Sequence, residues 1–328
     1  MTQAPDPAAP PEEQTDPLVL VPDSADTGQP PSYGGRATGE LVHRPDAADA
    51  FPVEWTRLAE HHYLVAADWP VGHRFFAPLP GGVQDPLLVA ETTRQTAMML
   101  AHAEYGVPAG HHFVMWDVEY ALATADFGLS DASGRIDVVV ECSEVQMRAR
   151  SLAGMRVRLT FRRGGRLLAT SAGSLSCTSE RAYRRLRGDK LAAAGDPVPL
   201  LDGVPPERVG RRDPGDVVLA PAEDGSGWRL RLDTAHPTLF ARANDHVPGM
   251  VLLEAARQAA VALAPEGRFV PASLTIAFHR YAELTEPCLV RARRETSPEG
   301  DVSVHVEGVQ GDEAVFTATL GDTPEVVR

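Results

Sequence analysis

DPLLVAETTRQTAMML (residues 85–100) and PGMVLLEAARQAAVAL (residues 248–263) are two copies of one pattern. Glu254, Arg257 and Gln258 follow Glu91, Arg94 and Gln95 at a constant offset of 163 residues, and His236 of HPTLF follows His73 of HRFF at the same distance. A lone His and Glu match easily by chance; four polar identities at one offset inside a matching apolar pattern indicate an internal duplication. Both stretches are apolar nearly all round, which marks a helix buried in the middle of a domain rather than lying on its surface. Asp85 and Pro86 suit the start of the first helix, and Pro248-Gly249 precedes the second.

Working outward, each helix follows a short extended run (HYLVAADW, WRLRLDTA) and the histidine loop. Strand-like segments at hairpin spacing come after it: FVMWDVEYALA, RIDVVVECSEV, MRVRLTF and RLLATSAGSLSC in the first half, and SLTIAFHRYAEL, CLVRARRET, DVSVHVEGV and AVFTATL in the second. Gly164-Gly165 reads as a hairpin turn. The expectation is an α+β fold in which each half is a long buried helix wrapped by an antiparallel sheet, so that one chain forms a pseudo-dimer. Residues 1–38, rich in Pro, Asp, Gln and Ser, read as a disordered tail, 39–187 as the first repeat, 188–215 as a Pro/Gly/Asp-rich linker and 216–328 as the second repeat.

A 328-residue chain that is 43% hydrophobic has ample material for two such cores. Its net charge of −14 argues against a protein that coats nucleic acid, which needs a concentrated basic surface. Cys142, Cys177 and Cys288 are widely spaced and suggest neither a disulfide framework nor a zinc site. His61-His62 and His111-His112 lack a second cluster at ligand spacing, so no metal is expected. With no export signal and no membrane-spanning run, a cytoplasmic location is expected.

On each helix Glu, Arg and Gln sit at i, i+3 and i+4 and share one face. At this spacing a Glu–Arg pair usually marks a solvated face, but here the remaining positions are mostly apolar, which favours a functional cluster. His73, His236 and His246 lie in the loops that lead to the helices. A basic run at Arg181, Arg184, Arg185, Arg187 and Lys190 is in most proteins a solvated surface; in a chain of this net charge it suits an acidic carrier protein or a phosphate.

DHVPGMVLLEAARQ, preceded by AHPTLF, is similar to the motif of the hot-dog dehydratases of fatty-acid synthesis, although the loop from His236 to Glu254 is several residues longer than theirs. HRFF, DPLLVAETTRQ, LAHAEYGVP and FVMWD in the first repeat, with DHVPGMVLLEAARQ in the second, resemble the A-factor (gamma-butyrolactone autoregulator) biosynthesis family over nearly the whole chain beyond the tail. The resemblance implies a tandem hot-dog fold. It also implies an acyltransferase that moves a 3-oxoacyl group from a phosphopantetheine thioester of acyl carrier protein, or from CoA, to dihydroxyacetone phosphate, with no cofactor of its own.

For such a reaction Glu91 is the candidate base, on the expectation that burial raises its pKa, and the Leu87 and Leu88 N–H groups are the candidate oxyanion donors. Arg257 and Arg94 are candidates for phosphate or carbonyl, and His73 completes the catalytic set. Gln95, His236, His246, Gly249, Glu254 and Gln258 are expected to bind substrate, with Glu91 and Arg257 meeting in one pocket. One pocket rather than two is favoured, because Trp116-Asp117 in the first repeat becomes His279-Arg280 in the second. A hot-dog dehydratase or thioesterase, and a non-catalytic acyl-ligand or autoregulator-binding protein, remain as alternatives.

Overall fold

A computed structural model describes residues 33–79, 82–123, 127–128, 134–264 and 269–322. The first repeat contributes β1 (Gly35–Arg36), β2 (Pro52–Ala59), β3 (His62–Asp68), α1 (Leu87–Ala103), β4 (His112–Leu122), β5 (Arg135–Arg148), β6 (Ser151–Arg163) and β7 (Arg166–Thr178). A short helix, α2 (Glu180–Arg187), follows it. The second repeat contributes β8 (Leu219–Pro221), β9 (Trp228–Leu230), α3 (Gly249–Leu263), β10 (Pro271–Phe278), β11 (Leu289–Thr296), β12 (Val302–Gln310) and β13 (Glu313–Asp322).

The strands of the described residues form one antiparallel sheet in the order β1-β2-β3-β5-β6-β7-β4-β10-β13-β12-β11-β9-β8. The repeats join edge to edge where β4 meets β10, with Glu119 opposite Thr275 and Val118 opposite Ile276. Alternation gives each strand one core face: Ile136, Val138, Val140 and Cys142 of β5 are buried. That face wraps α1 in the first half and α3 in the second. Helix α1 buries polar side chains as well, and several of them are hydrogen-bonded. Thr92 Oγ1 accepts the Trp69 indole N–H at 2.9 Å, and Thr93 donates to the Val89 carbonyl at 2.8 Å. The pseudo-dimer of buried helices wrapped by antiparallel sheet expected from the duplication is the one observed, and it is the tandem hot-dog fold that the family resemblance implies.

The ends of the expected segments differ in detail. Residues 1–32 lie outside the described residues, but Gly35–Arg36, within the stretch read as tail, already pairs with β2. The stretch read as a linker holds short 3-10 helices at Gly188–Ala193 and Pro206–Val209, with Val209 fully buried against the α3 side of the core. Its Pro and Gly residues shape turns rather than slack. In the WRLRLDTA segment only Trp228–Leu230 is strand, because Asp233 Oδ1 accepts the Ala235 N–H and turns the chain. Gly164 and Gly165, with φ of +53° and +81°, make the β6–β7 turn as read.

Gly308 on β12 faces the buried Phe316 ring, and a Cβ there would lie 2.1 Å from a ring carbon. Gly308→Ala should therefore lower stability in urea unfolding by about 1–3 kcal/mol, and adding Phe316→Leu should recover part of the loss.

Candidate active site

Each buried glutamate is the hub of a closed polar cluster. Glu91 is fully buried, and its Oε1 accepts from Arg44 Nε at 2.8 Å and Nη2 at 2.5 Å, from Arg94 Nη2 at 2.7 Å and from Gln95 Nε2 at 2.7 Å. Its Oε2 accepts from Arg94 Nε at 2.9 Å. In the second repeat Glu254 accepts from Arg211 Nε at 2.8 Å, from Arg257 Nη2 at 2.6 Å and Nε at 2.8 Å, and from Gln258 Nε2 at 2.5 Å. The arginines outside the helices cross between repeats: Arg44 Nη1 donates to the Thr238 carbonyl at 2.7 Å and Arg211 Nη1 to the Phe75 carbonyl at 2.6 Å. Burial pushes the Glu91 and Glu254 carboxyls up, but the paired guanidiniums outweigh it and hold each at about 2.

The histidine loops are tied by the same rule. His73 Nδ1 accepts the Phe75 and Phe76 N–H groups at 3.0 and 3.1 Å, and its Nε2 meets Asp49 Oδ1 at 2.8 Å. His236 Nδ1 accepts from Thr238 and Leu239 at 3.2 and 3.0 Å, with Nε2 on Asp216 at 3.0 Å. Two backbone donors at Nδ1 fix the Nε2-protonated neutral ring, so neither nitrogen is free for a substrate. Gln95 and Gln258 complete the pattern by donating to the Asp49 and Asp216 carbonyls, both at 2.7 Å.

The two clusters differ in what lies beside them. A cavity of about 1400 Å³ opens against the first, lined by Arg44, Arg94 and Met98, by the β4 residues Phe113, Met115 and Trp116, and by Arg242, Asp245, His246, Gly249 and Leu253 of the second repeat. At the start of α3 the Gly249 and Met250 N–H groups have no hydrogen-bond partner among the described residues. Arg242 has no carboxylate partner there either; its Nη1 lies 3.4 Å from His43 Nδ1. Burial and then Arg94 and Arg44 lower the Arg242 pKa, and burial with Arg242, His102 and Arg94 brings His43 down to about 3. Arg242 thus stands in the cavity without a paired carboxylate among the described residues, beside Arg44 and Arg94, which share Glu91.

The second cluster is sealed. Arg257 is 1% exposed, and Asp85 approaches Arg211 Nη1 at 3.8 Å. At the duplication offset, Leu79 stands where the second repeat has Arg242, Val83 where it has His246, and Pro86, which has no N–H, where it has Gly249. The expectation of a single pocket agrees with this asymmetry.

Several sequence expectations need correction. Glu91 is ionised by its arginines rather than raised by burial; its Oε1 is saturated and its Oε2 is held by Arg94 Nε. The Leu87 N–H donates to Asp85 Oδ1 at 2.9 Å and the Leu88 N–H to the Asp85 carbonyl at 3.0 Å, so the expected oxyanion donors are already used. Arg257 pairs with Glu254, not Glu91, and the two do not form one pocket. Arg94, His246 and Gly249 do come together on the cavity. Arg44, Arg211, Asp49 and Asp216 were missed, although RPDAAD (44–49), just after the supposed tail, and RRDPGD (211–216), at the end of the supposed linker, share an R-x-D-x-x-D spacing. Burial keeps all three thiols protonated, with Cys142 pushed up to about 11 and Cys177 and Cys288 to about 12, which disfavours a cysteine nucleophile.

A family model described as the A-factor biosynthesis hotdog domain matches residues 27–179 and again 193–323. A 2-oxo-3-(phosphooxy)propyl 3-oxoalkanoate synthase of Streptomyces virginiae is 43% identical over 86% of this chain and 96% of its own length. A protein of the same name from Streptomyces coelicolor is 44% identical over 85% of this chain and 89% of its own. Among solved structures, the 12:0-ACP thioesterase from Umbellularia californica is similar at a TM-score of 0.48 and 11% identity, covering 80% of this chain and 94% of that one.

Arg211→Met leaves Glu254, fully buried, with one of its two guanidiniums, and should cost about 3–5 kcal/mol in denaturant unfolding. Because the folded pKa of Glu91 and Glu254 lies near 2 against an ordinary 4.5, their stabilisation is complete above the latter and is lost as pH falls toward the former. The thermal midpoint should drop across that window, and less so in Glu91→Gln, whose starting stability is lower.

Proposed function

Because this chain belongs to the A-factor biosynthesis hotdog family, we propose that it transfers a 3-oxoacyl group from a thioester to the hydroxyl of dihydroxyacetone phosphate, giving a 2-oxo-3-(phosphooxy)propyl 3-oxoalkanoate. The observation that carries this reading is the charge of the cavity. Arg242, without a carboxylate partner among the described residues, shares it with Arg94 and Arg44, while Glu91 is already committed. A phosphate dianion is the complement of that excess, and guanidinium forks match its oxygens. Water, the acceptor in hydrolysis, brings no charge for such a cluster to hold.

The rest of the cavity suits the donor. Met98, Phe113, Met115, Leu252, Leu253 and Phe278 give an apolar wall for the acyl chain. The Gly249 and Met250 N–H groups supply donors where the thioester oxygen gathers negative charge. Attack by the acceptor oxygen forms the ester bond and the C–S bond breaks; nothing is oxidised or reduced, so the chemistry calls for no cofactor held by the chain.

The donor arrives on phosphopantetheine, from a carrier protein or as CoA. Glu180, Tyr183 and Leu186 of α2 line the cavity, while Arg181 and Arg185 make no ion pair among the described residues and Leu186 is 65% exposed. An exposed apolar side chain flanked by unpaired arginines beside the cavity suits an acidic carrier protein. The rest of the basic run is committed: Arg184 to Glu180, Arg187 to Asp245 and Glu283, and Lys190 to Glu286.

Mass spectrometry of the protein with a 3-oxoacyl thioester should show a phosphorylated ester only when dihydroxyacetone phosphate is present; free acid or enoyl thioester without it would contradict the reading. Arg242→Ala should raise the KM for dihydroxyacetone phosphate by about tenfold or more, the loss of one charge-assisted contact. Arg181→Glu with Arg185→Glu should slow turnover of a carrier-protein donor and leave a pantetheine thioester unaffected.

A further inference from the structure

The transfer needs a group to take the proton from the acceptor hydroxyl, and Glu91, the expected candidate, is fully buried behind Arg44 and Arg94, whose guanidiniums hold its carboxyl at about 2 and make it a weak base. His73 and His236 have both nitrogens engaged. His246 differs from them. It lines the cavity, and its Nδ1 lies 3.0 Å from Asp245 Oδ1. Asp245 is an ionised acceptor: it takes the Tyr183 hydroxyl at 2.6 Å on Oδ1 and Arg187 Nε at 2.6 Å on Oδ2, and these partners with His246 hold its carboxyl well below the usual range despite burial. An acceptor at Nδ1 places the ring proton there, so the neutral imidazole carries its lone pair on Nε2. That nitrogen has no hydrogen bond among the described residues.

The ring is held on every side. Its backbone bridges to Glu283, the Val247 N–H donates to the Ala282 carbonyl at 2.8 Å, and Tyr281 packs edge-on at 4.7 Å between ring centroids. Tyr183 is itself fixed by His112 stacked on it at 3.6 Å, and Arg187 covers the Tyr281 ring at 4.4 Å. The groups that face His246 are thus Asp245 on its own loop, Tyr183 and Arg187 from α2, and Tyr281 and Glu283 from the segment after β10. Three residues further along the chain Gly249 opens α3 on the same cavity wall. In the first repeat the corresponding positions hold Gly82 and Val83, so the arrangement exists once.

We infer that His246 is the general base of the transfer, with Asp245 as the positioning residue that fixes its tautomer. Nε2 takes the proton of the acceptor hydroxyl as its oxygen bonds to the thioester carbonyl carbon. The same proton then passes to the departing sulfur as the C–S bond breaks, so the thiol leaves neutral and the imidazole is restored. Asp245 touches neither substrate; it orients the ring and stabilises the imidazolium that forms between the two steps.

This inference rests on the acyl-transfer reading, and the test separates the two. Ester formation from a 3-oxoacyl pantetheine thioester and dihydroxyacetone phosphate is followed against pH for wild type, His246→Ala and His246→Gln, with melting curves to check folding. Wild type should lose activity as the imidazole protonates on the acid side. Both variants should melt close to wild type, fall by about 10²- to 10⁴-fold in kcat/KM and lose the acid limb, and added imidazole should restore part of the His246→Ala rate. Variants that keep wild-type turnover and its acid limb would overturn the base assignment alone. A wild type that forms no ester would overturn the acyl-transfer reading and the base with it.

Discussion

The structure depends on two buried carboxylates that are never left unpaired. Glu91 and Glu254 sit in the middle of helices surrounded by apolar side chains, where an isolated charge is untenable. Each is matched by an arginine one turn along its own helix and by a second arginine, Arg44 or Arg211, that lies ahead of the helix in sequence and also bonds the opposite repeat. The ion pair is therefore also a tie between halves. It fixes the histidine loop of one repeat against the helix of the other, and so sets the spacing of the walls between which a cavity forms.

Duplication produced two such ties, and among the described residues the large cavity opens against the one at Glu91. Beside Glu254 the chain supplies its own acid, Asp85, and has Leu79, Val83 and Pro86 where the other loop has an arginine, a histidine and a glycine. Beside Glu91 the corresponding loop gives Arg242, His246 and Gly249. The framework is shared and the chemistry is not. Of the set that recurs in both halves, Glu91 and Gln95 belong to the framework and Arg94 also reaches the cavity, whereas Arg242, His246 and Gly249, which distinguish the halves, line it. Repetition marked the scaffold, and its breakdown marks the site.

Much of this was legible before the structure. The helix pattern at one offset indicates the duplication, all-round apolarity indicates burial, and the resemblance to the A-factor biosynthesis family implied the hot-dog arrangement. The unequal surroundings of the two clusters were visible in the divergence of matched positions. Two things were not. The partners of Glu91 come from a Pro- and Asp-containing segment whose composition resembles a tail or linker, so R-x-D-x-x-D was passed over and the carboxylate was expected to be raised rather than lowered. The roles of the histidines could not be separated by sequence either: His73, His236 and His246 are all loop residues before a helix, and only the hydrogen bonds at each nitrogen show which ring is saturated and which has a free lone pair.

The central claim is that one cavity, between the middle of α1 and the start of α3, receives both substrates. A crystal structure of the protein with dihydroxyacetone phosphate and a non-reactive thioester analogue tests it most directly. The account predicts the phosphate on Arg242 and Arg94, the acyl carbonyl at the Gly249 and Met250 N–H groups, and no ligand beside Arg257. A phosphate bound at Arg257 and Arg211, with Asp85 displaced, would contradict it.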